Sequence, residues 1–207
     1  MTDVLYIHPE TPQPRLIEQA AAVLRQGGLI AYPTDTTYAL GCGIGEKSAL
    51  ERLIRLRQLD KKHEFTLLCE DLSALAVYAK VENPDYRLLK AHTPGPYTFI
   101  LQGTTEVPRR LMHPKKRTIG IRVPDHPICL ALLAAHGEPI MTSTCHLPGE
   151  EFPLSDPQDV REFLQGRVDL VIDGGFGGLT ETTVISLADG QGPEVVREGA
   201  GSLDGIY

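Results

Sequence analysis

The sequence predicts an α/β fold in which a mixed sheet is covered by helices, and three observations carry that expectation. Short apolar runs of strand length alternate with segments whose apolar residues recur at helical spacing. Turn and capping residues separate them at the positions where helices start and stop. The last two strand-like segments flank Asp189-Gly-Gln-Gly-Pro193, which pairs them as a hairpin within an otherwise helix-and-strand alternation.

Taken in order, Leu16, Ile17, Ala20, Ala21 and Leu24 make one apolar helix face, with Pro12 and Pro14 before it and Gly27-Gly28 as its stop. Leu29 to Tyr32 is expected to be a short strand. The next helix is expected to open at Ser48, with Glu51 three residues on completing a capping box. Phe65 to Cys69 predicts a strand, Leu72 to Ala79 and Pro84 to Ala91 predict helices, and Tyr97 to Leu101 and Thr118 to Val123 predict strands. A helix is expected over Pro127 to Ala135 and a strand over Ile140 to Thr144. Asp156 before Pro157 places a cap ahead of a proline at the first helical position. Asp169 to Asp173 predicts a buried strand, and Thr182 to Leu187 with Glu194 to Arg197 predicts the closing hairpin. No repeat or linker divides residues 1–207, and that length suits one domain.

Composition narrows the class. With 42% hydrophobic and 23% charged residues the chain is ordinary globular protein. Apolar runs such as Ile128 to Ala135 fall well short of the roughly 20 residues a membrane span needs. The opening Met-Thr-Asp-Val-Leu-Tyr lacks the basic and apolar regions of a secretory signal, so a cytoplasmic location and no membrane partner are expected. Cys42, Cys69, Cys129 and Cys145 form no Cys-x-x-Cys pair and read as reduced thiols. The histidines show no zinc-ligand spacing, so no structural metal is expected. A net charge of −7 opposes affinity for nucleic acid over the whole surface, though not in a local groove.

Two glycine-rich stretches invite phosphate-loop readings and fail them. In Gly41-Cys-Gly-Ile-Gly-Glu-Lys47-Ser48, Glu46 stands where a Walker loop needs glycine before the lysine. Gly174-Gly-Phe-Gly-Gly178 leads into Thr182-Thr-Val-Ile rather than a helix, so it reads as a flexible turn.

The cations carry more information. Arg52, Arg55, Arg57, Lys61, Lys62 and His63 form one run, Arg109, Arg110, Lys115, Lys116 and Arg117 another. Helix-dipole stabilisation accounts for about half of the first run but not for the second. Arg122, between Ile121 and Val123 on an apolar strand, must face solvent or a cleft. Convergence of the two runs would make an anion site, since arginine suits a bidentate grip on phosphate or carboxylate. Hydroxyls are a second theme, in Thr34, Thr36, Thr37, Thr98, Thr118, Thr142 to Thr144 and Thr182-Thr183; β-propensity explains many, and strand-end hydroxyls can also donate to phosphate oxygens. Adjacent Cys145 and His146 would point to opposite faces of a strand, which opposes a nucleophile–base pair.

Five segments in order, Pro33-Thr-Asp-Thr-Thr-Tyr-Ala-Leu-Gly41, Arg55-Leu-Arg57, Thr93-Pro-Gly-Pro-Tyr-Thr-Phe-Ile-Leu101, Thr118-Ile-Gly-Ile-Arg-Val-Pro124 and Thr182-Thr-Val-Ile185, resemble the YrdC/YciO family, the threonylcarbamoyl-adenylate synthase superfamily. His63-Glu-Phe-Thr-Leu-Leu-Cys69 and the stretch around Val107-Pro-Arg-Arg110 are most similar to its YciO branch. The resemblance implies a YrdC-like twisted sheet with a concave, positively charged cleft. It also implies a reaction of L-threonine, bicarbonate and ATP, with Mg²⁺, to give threonylcarbamoyl-AMP and pyrophosphate for tRNA modification. By motif position, Thr34 and Arg122 would hold L-threonine or a related amine, with Thr182 at the junction. Arg55, Arg57, Thr118, Thr144, His146 and Arg197 would contact the nucleotide. The chain departs from the synthase pattern in having Arg55 for the lysine of Lys-x-Arg, Thr144-Cys-His146 for Ser-x-Asn, and Cys69 for a histidine.

A second class of function uses the same cleft without catalysis, to bind tRNA or double-stranded RNA by shape and phosphate contact, with steep salt dependence. No Trp and 6% aromatic residues oppose recognition of single strands by stacking. A cysteine hydrolase built on Cys145 is a third reading, testable by alkylation.

Overall fold

A computed structural model describes residues 1–207. In chain order the elements are β1 (Asp3–Tyr6), α1 (Pro14–Arg25), β2 (Ile30–Pro33), β3 (Tyr38–Gly43), α2 (Lys47–Arg57), β4 (Thr66–Leu68), α3 (Leu72–Tyr78), α4 (Asn83–His92), β5 (Tyr97–Gln102), a 3₁₀ turn at Arg109–Leu111, β6 (Thr118–Arg122), α5 (Pro127–His136), β7 (Ile140–Thr144), α6 (Pro157–Leu164), β8 (Leu170–Asp173), β9 (Thr183–Ser186) and β10 (Glu194–Arg197). All strands join one ten-stranded sheet in the order β1-β8-β2-β3-β7-β4-β6-β5-β9-β10. It is mixed: β1 with β8, β8 with β2, β4 with β6 and β5 with β9 are parallel, and the remaining neighbours antiparallel. No helix is long and apolar enough to cross a membrane.

The two-residue period of the strands sorts side chains into two cores. Ile30, Tyr32, Leu68, Ile140, Leu170 and Ile172 pack beneath α1 and α5, whose Ile17, Ala20, Ala21, Leu24, Ile128, Leu132 and Leu133 complete that layer. Their neighbours Leu29, Ala31, Leu67, Met141 and Val171 face the other way, into a larger core with Leu50 and Leu53 of α2, Leu75 of α3, Leu89 of α4 and Leu164 of α6. The helices are bounded by local chemistry. His126 accepts the Ile128 amide at the start of α5, Gly137 ends that helix at φ 82, and Asp156 accepts the Gln158 amide ahead of Pro157.

The structure adds β1 and β3 to the expected elements. β1 is a four-residue edge strand, and β3 is glycine-bearing yet buried throughout. The expected capping box does not form: α2 begins at Lys47, Glu46 is the cap residue, and no side chain caps it. Ser48 therefore lies inside the first turn. Gly174 to Gly178 is not a free turn, because the Gly177 amide donates to the Ser155 carbonyl and that of Gly178 to the Thr36 carbonyl, each at 2.8 Å. A Cβ at Gly178 would lie 2.3 Å from that Thr36 oxygen, so the loop is packed as closely as glycine permits.

These caps separate two substitutions by urea denaturation. Asp71→Ala removes a side chain that accepts the Ala74 amide at 2.8 Å and should cost about 1 kcal/mol. Ser48→Ala removes no cap and should stay within about 0.5 kcal/mol.

Candidate functional site

Beyond the reach of α1 and α5, their face of the sheet stays open. The alternation that sends Leu67, Phe99, Ile121 and Met141 into the larger core turns Thr66, Thr98, Arg122 and Thr142 outward onto this bare face. They line a cavity of about 270 Å³ together with Thr36, Thr37, Arg57, His63, Glu64, Ser143, Thr144, Glu181, Thr182 and Arg197. Gly120 lies between Thr66 and Ile100 in the register. A Cβ there would stand 2.7 Å from the Thr66 hydroxyl and 3.2 Å from the Thr98 methyl, so glycine keeps the threonines of neighbouring strands close.

Arg122 and Asp35 form a buried ion pair, their side chains 8% and 10% exposed. The same guanidinium donates to the Thr36 hydroxyl at 3.1 Å and to that of Thr34 at 3.4 Å. Thr34 fixes the turn by donating to the Thr37 carbonyl at 2.6 Å. Asp35 Oδ2 and Arg122 Nε are buried without a partner. Such orphaned polar atoms are rare in native proteins, and here they belong to the charged pair whose arginine lines the cavity.

Two more arginines complete the charge. Arg57 donates to Ser143 Oγ at 2.5 Å and to the His146 carbonyl at 3.2 Å. Burial lowers its pKa from the ordinary value, with Glu181 pulling the other way. Arg197 grips the Thr182 carbonyl at 2.9 and 3.1 Å, the Thr182 hydroxyl at 3.2 Å and Glu181 at 3.0 Å. Thr182 in turn shares a 2.8 Å hydroxyl contact with Thr98. Burial first and the Arg57 charge second lower the pKa of His63, which leaves it neutral near pH 7.

Of the residues singled out in the sequence, Arg57, Arg122, Thr144, Thr182 and Arg197 share this wall. Thr34 stands behind it, joined through Arg122, and buried Thr118 reaches it by donating to Glu64 at 2.7 Å. His146 contributes its carbonyl, while its ring lies 2.8 Å from the Glu150 carbonyl. Arg55 lines a different cleft, with Arg52, Gln58 and Arg167. Residues two apart on a helix face different ways, which is why Arg55 and Arg57 part. The second basic run does not converge on this cavity either, since Arg109 and Arg117 line a third pocket with Lys80. Asp35, Glu64 and Glu181 went unrecognised because isolated acids in loops leave no periodic trace; Thr66, at the outward position of an apolar strand, was findable by alternation.

Chemically the cavity offers cationic forks and hydroxyls for anions, and none of its lining residues is a cysteine. Cys145 is fully buried, and burial pushes its thiol up to about 12, which removes the hydrolase reading. No group of three His, Cys, Asp or Glu side chains could cage a metal ion. Glu64 and Glu181 are the carboxylates of the wall, and each already holds a partner.

Comparison with known proteins follows the same lines. A family model, Sua5_yciO_yrdC, described as "Telomere recombination", matches residues 22–199. The YciO protein of Escherichia coli K12 is 54% identical over 203 residues, covering 98% of both chains. The E. coli YciO crystal structure superposes with a TM-score of 0.96 over 100% of each chain. A threonylcarbamoyl-AMP synthase of Halorhodospira halophila is 31% identical over 86% of this chain and 92% of its own. The crystal structure of P. abyssi Sua5 complexed with L-threonine is 28% identical, with a TM-score of 0.90 over 99% of this chain and 60% of that one. A match of this extent, on a sheet whose open face gathers arginines and threonines from across the chain, places the protein in the Sua5/YciO/YrdC family.

Proposed function

We propose that this protein is an ATP-dependent carbamoyl-adenylate synthase acting on L-threonine or a closely related amine. The observation that carries the reading is the grouping of Arg57, Arg122 and Arg197 with a ring of hydroxyls in one cavity. In the proposed reaction the amine and bicarbonate form a carbamate with loss of water. A carbamate oxygen then attacks the α-phosphorus of ATP, its bond to the β-phosphate oxygen breaks, and pyrophosphate leaves. Such chemistry needs two anions held against each other and the growing charge neutralised, not a protein nucleophile.

Arg122, set by Asp35, Thr34 and Thr36, would hold the substrate carboxylate. Arg57, Thr144 and Arg197 would face the nucleotide phosphates, with Thr182 between the two substrates. Thr118 acts as a positioning residue through Glu64, and His146 through its carbonyl. Mg²⁺ would enter as part of the nucleotide substrate, held by phosphate oxygens and retained waters. The L-threonine complex of P. abyssi Sua5 and the synthase of H. halophila support the choice of substrate.

The test is pyrophosphate release from ATP with Mg²⁺ and bicarbonate, with and without threonine. Threonine-dependent release should fall about 10²–10³-fold in Arg197→Ala, the usual cost of losing a donor to developing charge. Arg122→Lys keeps the charge but not the planar fork, and should lose release with less damage to stability than Arg122→Ala, which strands Asp35 at a cost of about 3–5 kcal/mol. No release with any amino acid, together with no ATP binding, would overturn the reading and leave RNA binding, recognised by its steep salt dependence.

Two further outcomes follow from the geometry. Arg57→Ala should weaken ATP binding in calorimetry while Arg55→Ala leaves it unchanged, because only Arg57 enters the cavity. Gly120→Ala forces a methyl between Thr66 and Thr98 and should lower stability by about 1–3 kcal/mol in chemical denaturation.

A further inference from the structure

Between β5 and β6 the chain builds the third pocket, of about 380 Å³, which shares no lining residue with the first cavity. Lys80, Arg109 and Arg117 converge on it with Gln102, Thr104 and Thr105, and no carboxylate lines it. In a chain of net charge −7, the stretch from Thr104 to Arg117 holds Arg109, Arg110, Lys115, Lys116 and Arg117 against Glu106 alone. Arg25, Arg52, Arg57, Arg122, Arg161 and Arg197 donate to protein acceptors elsewhere in the fold. Lys80, Arg109 and Arg117 take part in no ion pair. Like charges gathered without counter-charge repel, so the arrangement is favoured once an anion enters.

The pocket is held by backbone contacts that tie separate segments to one turn. The Lys80 amide donates to the Gln102 carbonyl at 2.9 Å, the Thr104 amide to the Tyr78 carbonyl at 2.9 Å, and the Gly103 amide to the Arg117 carbonyl at 3.0 Å. Met112 closes onto Gly103, where a Cβ would stand 2.7 Å from its Sδ. Arg117 itself has φ 55, a left-handed backbone that disfavours every residue with a Cβ. Its amide donates to the His113 carbonyl at 2.9 Å, and His113 Nδ1 accepts the Lys116 amide at 3.1 Å, which holds the turn in place. Glycine would suit that position better for the backbone; arginine there presents a cation to the pocket.

We propose that this pocket binds a compact polyphosphate, either free pyrophosphate or the phosphate end of a nucleotide, through Lys80, Arg109 and Arg117. Converging cations return more energy from a multiply charged anion than from a monocarboxylate, and arginine forks match phosphate oxygens. The volume exceeds the roughly 30 Å³ share of one water molecule by about an order of magnitude, enough for more than a lone small ion. The inference does not depend on the proposed synthase reaction, since the two cavities are separate.

The test is an NMR titration of the full chain with inorganic pyrophosphate and, separately, with ATP, following the amides of Gly103, Thr105 and Arg117. Saturable shifts are expected with pyrophosphate if the free anion is recognised, and with ATP alone if the nucleotide is needed. In Lys80→Gln/Arg109→Gln and in Arg117→Gly the apparent affinity should fall by about tenfold or more. Arg117→Gly also keeps the proposal falsifiable against misfolding, because relieving the left-handed arginine should leave the melting temperature unchanged or raised. The proposal is overturned if neither ligand shifts these amides, if the shifts persist in both variants, if sodium chloride alone reproduces them, or if only duplex RNA does.

Discussion

The ion pair of Arg122 with Asp35 is the contact on which the open side of the molecule is built. A guanidinium this buried must be paired, and its partner comes from the turn between β2 and β3, whereas Arg122 ends β6 on the far side of β7 and β4. The turn therefore reaches across intervening strands, which raises a wall along the bare sheet face. Its own shape follows from Thr34, whose hydroxyl closes onto Thr37, and from Gly178, whose amide fastens the neighbouring loop to Thr36. Charge, hydroxyls and glycines in this region serve one requirement: to hold a buried, paired cation at the end of a strand where it lines the cavity.

The division of labour across the sheet has an equally simple origin. On one face the apolar residues run from β8 to β9, and α2, α3, α4 and α6 bury them. On the other they stop at Leu68 and Ile140, where α1 and α5 end their coverage, and threonines take over at the same alternating positions. Threonine keeps the β-branched shape a strand favours and replaces a methyl with a hydroxyl, so a sheet face can change from core to site with no change in backbone.

Much of this was legible in the residues themselves. α1, α5 and α6 carry helical spacing with prolines at their first turns, and β5 to β9 carry apolar strand runs, because these signals are local. β3 was hidden by the polar turn before it and by Gly41 and Gly43 within it, whose burial comes from pairing with β2 and β7 rather than from side chains. Of the cavity, strand alternation marked Arg122, whereas Arg57, Thr144, Thr182 and Arg197 were brought to one site only by the family resemblance. Nearness in sequence misled for Arg55, turned away by the helix, and for the run from Arg109 to Arg117, carried off by the long β5–β6 connection. Asp35, Glu64 and Glu181 became meaningful only once their arginine and threonine partners were in place.

Arg57 shows how a site can tolerate drift in its own signature. Its guanidinium is anchored by the Ser143 hydroxyl and by the main-chain oxygen of residue 146, not by that residue's side chain. A main-chain oxygen is supplied by every amino acid, so the position of this cation is insulated from the identity of residue 146. The imidazole found there, turned toward Glu150, marks a place where sequence can diverge between relatives while the charge lattice facing the cavity keeps its geometry.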